Sequence, residues 1–125
     1  MQANDAKKIE KLLESNKKTE KQLKEFEKQI LEMEESDSPK VRLWVEIYNN
    51  AVSDRTCASA LFTQAFSLMG SSAADHVTLG TTLVKYLERM SKSNEQLLSL
   101  SEMIDNDKKN EDVMNTKDIF SQIEG

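Results

Sequence analysis

A single proline and three glycines interrupt 125 residues, and this scarcity of chain breakers is the strongest constraint on the fold. A compact mixed fold needs frequent tight turns and draws on these two residue types to make them. This chain can only run in long segments. Charged residues make up 31% and hydrophobic residues 38%, and so low a hydrophobic share suits cores that are narrow seams between rods. The fold class expected is all-α.

The first segment places Ile9, Leu12, Asn16, Thr19, Leu23, Phe26, Ile30 and Met33 at alternating steps of three and four, which is a coiled-coil heptad. Asn16 and Thr19 weaken its centre. A polar group buried there sets register and partner number at a cost in stability. Eight lysines between Lys7 and Lys28 face five glutamates, which leaves this arm locally positive by three. A solvated coiled-coil surface is the simpler reading, and a DNA-binding arm the alternative.

The sign flips at Glu32, Glu34, Glu35 and Asp37, after which Ser38 supplies an N-cap and Pro39 a first-turn proline. Val41, Trp44, Tyr48, Ala51, Val52, Ala58, Phe62, Ala65, Phe66 and Met69 recur at helical spacing and predict a second helix from Pro39 to Met69, closed by Gly70. Ser72 and Asp75 form a capping box for a third helix, with its seam at Leu83, Leu87, Met90, Asn94, Leu97, Ser101 and Ile104 and its end near Asp105. Two rods of roughly 30 residues, about 45 Å each, joined by so short a turn must lie antiparallel.

The expected architecture is therefore a long antiparallel, coiled-coil-like hairpin over 39–105. A heptad helix over 1–36 precedes it, and 106–125 is a flexible tether with a short docking helix. In that last segment Asn106 to Asp112 is polar and reads as mobile. Thr116 then caps a helix whose apolar face, Ile119, Phe120 and Ile123, is too small to be stable unless it docks. With the turn at Ser71 and Ser72, paired hairpin positions sum to about 142 or 143. That sets Arg55 beside Glu88 as an ion pair and Asn49 opposite Asn94 as a polar layer. Two such rods leave apolar surface that one molecule cannot hide, so copies of the chain are expected to assemble. Periodicity leaves open whether the first helix joins a neighbour, folds back or projects.

Several function classes are disfavoured. A net charge of -5 argues against indiscriminate coating of nucleic acid. The single cysteine cannot form an intramolecular disulfide, and no apolar run reaches the roughly 18 to 20 residues of a membrane span. The amino terminus lacks the apolar stretch of a secretory signal, so an intracellular, reduced, soluble protein is expected. One histidine, one cysteine and no glycine-rich phosphate loop make no catalytic constellation. No enzyme activity, metal or cofactor is expected. His76 at the start of the third helix reads as a capping or partly buried residue, and Cys57, among small residues, as packing. Most of the methionines at 33, 69, 90, 103 and 114 read as core. Trp44 reads as a packing anchor, within or between subunits.

One surface feature exceeds that bland reading. Lys85, Arg89 and Lys92 stand at i, i+4 and i+7, nearly opposite the third helix's seam, while Glu88, Glu95 and Glu102 stack on a neighbouring face. In a ring of hairpins the basic faces could converge on a common axis and the acidic faces meet neighbours.

Residues Leu43 to Ala51, Asp54-Arg55, Gly80-Thr81-Thr82 and Lys85 to Leu98 resemble the small terminase subunit of T-even-like tailed bacteriophages of the cyanophage type. The likeness covers roughly 41–105 and lies in words and spacing, without a chemical motif. It implies a hairpin domain assembling into a ring of about eight to twelve copies, with viral double-stranded DNA and the large terminase subunit as partners. It also implies a non-catalytic role regulating the large subunit's ATPase and nuclease during genome packaging in the infected host's cytoplasm. On this resemblance Trp44, Tyr48, Arg55, Phe62, Leu83, Leu87, Glu88 and Leu97 hold hairpin and ring contacts. Lys85, Arg89 and Lys92 become phosphate contacts, and Ile119, Phe120 and Ile123 dock the large subunit. Many small terminases begin with a helix-turn-helix, whereas this chain begins with a plain heptad; its DNA contacts would then be to phosphates and salt-sensitive. The competing reading is a coiled-coil adaptor that does not bind DNA.

Overall fold

In the computed structural model the backbone is described over residues 3–69 and 73–124, and side chains over 4–69, 77 and 79–114. Four helices account for nearly all of it: α1 (Ala3–Gln22), α2 (Lys24–Met33), α3 (Pro39–Leu68) and α4 (Ala73–Glu124). Only Leu23 separates α1 from α2, and its backbone stays right-handed helical. The Leu23 N–H donates to Thr19 at 3.0 Å and the Glu27 N–H to Leu23 at 3.0 Å, so the two helices form one rod. Ser38 begins α3 as expected: its hydroxyl accepts from the Val41 N–H at 3.5 Å, and Pro39 occupies the first turn. Gly70 and Ser72 lie outside the described residues, as do the side chains of Asp75 and His76.

The α1–α2 rod folds back on its own hairpin. Ile9 packs with Leu83 and Leu87, while Leu23, Phe26 and Ile30 pack with Trp44, Leu97, Leu100 and Ile104. Contacts thus climb α1, α2 and α4 together, which makes the rod parallel to α4 and antiparallel to α3. The result is a three-helix bundle with one shared core. Of the three courses that periodicity left open for the first helix, folding back on its own hairpin is the one taken. A lone pair of rods would expose the inner face of Leu83, Leu87 and Ile104; the third rod covers it, leaving those three side chains at 0% exposure. Small side chains at Ala51, Ala58 and Ser93, all buried, let the helices approach closely.

Between the two apolar clusters lies a buried polar layer. Asn16 and Asn94, 4% and 2% exposed, face each other across α1 and α4, with the Asn94 Nδ2 donating to Asn16 Oδ1 at 3.2 Å. Ser91 donates to the same oxygen at 3.0 Å, and Asn16 Nδ2 donates to the Leu87 carbonyl at 3.3 Å. Arg55 of α3 donates from Nη1 to Asn94 Oδ1 at 2.9 Å, and its Nε lies 3.9 Å from Glu20. Among the described residues no buried side-chain polar atom lacks a partner.

Two expected pairings are corrected here. Arg55 does not pair with Glu88. Its neighbour Asp54 does meet α4 at the expected level, bonding Arg89 at 3.1 Å, but Arg55 lies on the α1 side of α3 and extends along α4 to Asn94. Glu88 instead takes Lys8 of α1 at 2.9 Å. Asn49 is exposed, and the partner of Asn94 is Asn16, because the third rod brings an asparagine to that level.

The break expected at Asp105 is also absent, since α4 runs on to Glu124. Lys40 explains part of this, donating to both Asp107 oxygens at 3.0 and 2.9 Å and lying 3.7 Å from Glu111. Asp107 and Glu111 stand one turn apart, so one ammonium staples the helix through its most polar stretch. Extending an existing helix needs no new nucleus, and no glycine or proline intervenes. The 106–112 tether is therefore helix. Side chains of the expected docking residues Ile119, Phe120 and Ile123 lie outside the described residues.

Replacing Asn16 with alanine strips Ser91 and Asn94 of their shared acceptor inside the bundle and is expected to cost about 1–3 kcal/mol. Replacing Lys8 removes a pair whose side chains are 56% and 49% exposed and is expected to cost less than about 1 kcal/mol. Urea unfolding followed by circular dichroism measures both; equal effects would mean that the layer holds nothing together.

Candidate interaction surface

With α1 and α2 covering one side of the hairpin, the opposite side of the α3/α4 pair remains open as a groove. Buried Ala51 and Leu100 form its floor, and Ile47 and Met103, 38% and 54% exposed, flank it. Polar residues Asn50, Asp54, Lys92, Glu95, Gln96 and Ser99 complete the lining. Along α3 the groove belongs to a second row at alternating steps of four and three: Leu43, Ile47, Asn50, Asp54, Cys57 and Leu61. Leu43 and Leu61 are 54% and 43% exposed, and Cys57 is exposed too. The earlier reading of Cys57 as a packing residue is thereby corrected: it is exposed on the outward seam, although the next residue, Ala58, is buried.

Amphipathic helices normally bury one seam, so an apolar row on the solvent side of α3 is surplus to the fold. Sequence reasoning concentrated on the inner seam and missed this one. Its signal was available in the same alternation, shifted along the helix.

The residues assigned to hairpin and ring contacts divide by position. Trp44, Leu83, Leu87 and Leu97 are buried in the core of one chain. Tyr48 packs edge-on against Phe26, ring centroids 5.5 Å apart, and Phe62 stacks on exposed Phe66 at 6.1 Å. Trp44 is therefore an anchor within the subunit. Met90 is buried and Met33 and Met69 pack at the core edges, but Met103 and Met114 are 54% and 64% exposed.

The α4 basic stripe is electrically mixed. Lys85 is exposed, but Arg89 is engaged by Asp54, and Lys92 lines the groove beside Asp54 and Glu95. Such neighbours reduce the positive potential a phosphate would meet. No group of three or more histidine, cysteine, aspartate or glutamate side chains suited to a metal occurs among the described residues. None of the described helices is long and apolar enough to cross a membrane.

At the end of the bundle Lys40 reaches over the Trp44 ring, 5.3 Å from its centroid. Its hydrogen bond to Asp107 raises the ammonium pKa above the usual lysine value, against the opposing effect of desolvation. Burial likewise raises the Tyr48 phenol, helped by Glu27 and opposed by Arg55.

Comparison with protein-family models, curated proteins and solved structures finds no match.

Both raised values bear on stability at alkaline pH. The folded state holds these protons more tightly than the unfolded chain, so the contribution is whole below the unfolded values near 10.0 for Tyr48 and 10.5 for Lys40 and is lost as pH rises through the folded ones. Urea midpoints are expected to fall as pH rises past about 10, and Tyr48→Phe to flatten that fall. An unchanged slope in the variant would remove Tyr48 from the account.

Proposed function

We propose that the chain is a non-catalytic small terminase subunit, a homo-oligomer that engages viral double-stranded DNA and regulates the large terminase during genome packaging in an infected bacterium. The observation carrying this reading is the surplus apolar row Leu43, Ile47 and Leu61 on the open side of α3, with Met103 facing it from α4. An outward heptad-like seam is the surface a helix uses to pack on another helix, and its polar members Asn50 and Asp54 suit a register-setting contact between copies. The resemblance across 41–105 falls on α3 and the packed part of α4, the same elements that carry the seam.

The adaptor reading draws on a different observation. One chain buries Trp44, Leu87 and Ile104 without help, so copies are not required for folding. Mass in solution decides between the two.

Sedimentation velocity at micromolar concentration is expected to give a particle of about eight to twelve copies. Leu43→Glu with Ile47→Glu places two charges in the seam without touching the bundle core; it is expected to stay helical and fall to the monomer mass, because an unpaired charge cannot be buried between helices. A wild-type chain that sediments as a monomer overturns the terminase assignment in favour of the adaptor.

A further inference from the structure

We propose that the outward face of the α1–α2 rod is a binding site for the phosphate backbone of nucleic acid, formed by Lys17, Lys18, Lys21, Lys24 and Lys28. The rod's inner face is committed to the core through Asn16, Leu23, Phe26 and Ile30. On the opposite side Lys17, Lys21, Lys24 and Lys28 recur at steps of four, three and four, with Lys18 beside them, and all five are exposed. At 1.5 Å per residue the row runs for about 16 Å along one straight edge. It is a linear array of cations.

Lys8, Lys40, Arg55 and Arg89 each stand within 4 Å of an acid, at Glu88, Asp107, Glu20 and Asp54, whereas Lys7, Lys11, Arg42, Lys85 and Lys92 form no ion pair among the described residues. What distinguishes the row is its density, five lysines within 12 residues of one rod. Lys28 pairs with Glu25 at 3.6 Å, but Lys17, Lys18, Lys21 and Lys24 form no ion pair among the described residues. Of the nearby acids, Glu14 and Glu20 lie among Lys17, Lys18, Lys21 and Lys24, Glu20 also approaches Arg55, and Lys24 borders the cleft toward α3 with Glu20 and Glu27. Four unpaired ammonium groups side by side repel one another unless counterions or a polyanion sit over them, and displacing those counterions favours binding a chain of phosphates.

A lipid surface fits less well. A membrane-lying helix inserts its apolar face, and here that face is inside the bundle, with Leu31 the one large apolar side chain exposed on α2. Lysines are flexible point charges that hold phosphates and do not read base edges, so the contact is independent of sequence. This places the DNA contact on the opposite side of the molecule from the α3/α4 groove. It deepens the packaging reading and rests on it only for the biological identity of the polymer.

The test is fluorescence anisotropy with a labelled, scrambled duplex of about 30 base pairs. Wild-type affinity is expected to fall roughly 100-fold between 50 and 200 mM NaCl, the loss appropriate to about four phosphate contacts. The full-length variant K17Q/K18Q/K21Q/K24Q is expected to bind at least tenfold more weakly at the lower salt, with a shallower salt slope. Arginine at the same four positions retains binding, and so does K85Q/K92Q, which neutralises lysines of the α4 stripe. Glutamine-variant binding equal to wild type overturns the proposal. So does a wild-type chain that binds phosphatidylserine vesicles but not the duplex. Sedimentation of the same variant separates this result from the assembly question: a monomer whose duplex binding is still lost with the glutamines would overturn the packaging reading and leave the lysine site standing.

Discussion

The fold turns on a side-chain amide near the middle of the first helix. Asn16 accepts from Ser91 and Asn94 and donates to the Leu87 carbonyl, and Asn94 in turn accepts from Arg55. Donors and acceptors run in one direction from the guanidinium on α3, through α4, to α1. A polar group in a helical seam is tolerated only where its partners are complete, and a slip of one turn would leave several of these atoms dry and unpaired. The layer therefore costs stability relative to an apolar seam but makes one alignment of three rods far better than its neighbours. Apolar clusters above and below supply the bulk of the burial, and the layer sets their registration.

That alignment decides what remains outside. Once α1 lies along α4, the hairpin has a closed side and an open one, and the rod has a buried face and a solvent face. The open side carries the outer seam of α3 and the groove with Met103, where apolar and mixed-charge residues alternate. The solvent face of the rod carries the lysine row. Two surfaces of different chemistry thus stand on opposite sides of the bundle, so one can meet other helices while the other meets a polyanion.

The length of α4 has a local cause as well. It is 52 residues long against 30 for α3, and the stapling of Asp107 and Glu111 by Lys40 carries it past the first turn of its partner. Exposed Val113 and Met114 lie beyond that staple. Helical continuity makes this end of the chain an extension of the bundle, so whatever it touches is held at a defined direction from the core.

Much of this was readable from residue spacing, because spacing reports which face of a rod is apolar and that is a local property. The all-helical class followed from one proline and three glycines, the start of α3 from Ser38 and Pro39, and the buried seams from alternating steps of three and four. Asn16 and Asn94 were each visible as polar members of a seam. What spacing cannot supply is the identity of the partner across the seam. That the two asparagines meet, that Arg55 turns to Asn94 while Glu88 takes Lys8, and that Asn49 faces solvent all depend on a third rod occupying one side of the hairpin. The end of α4 was misplaced for a related reason: the polar stretch after Asp105 has weak helical preference by itself, and a lysine 67 positions earlier in the chain holds it. Local preference sets the rods and their faces, whereas pairing, register and the choice of which seam of α3 stays outside are fixed only once the rods are packed, since each depends on groups distant in sequence and adjacent in space.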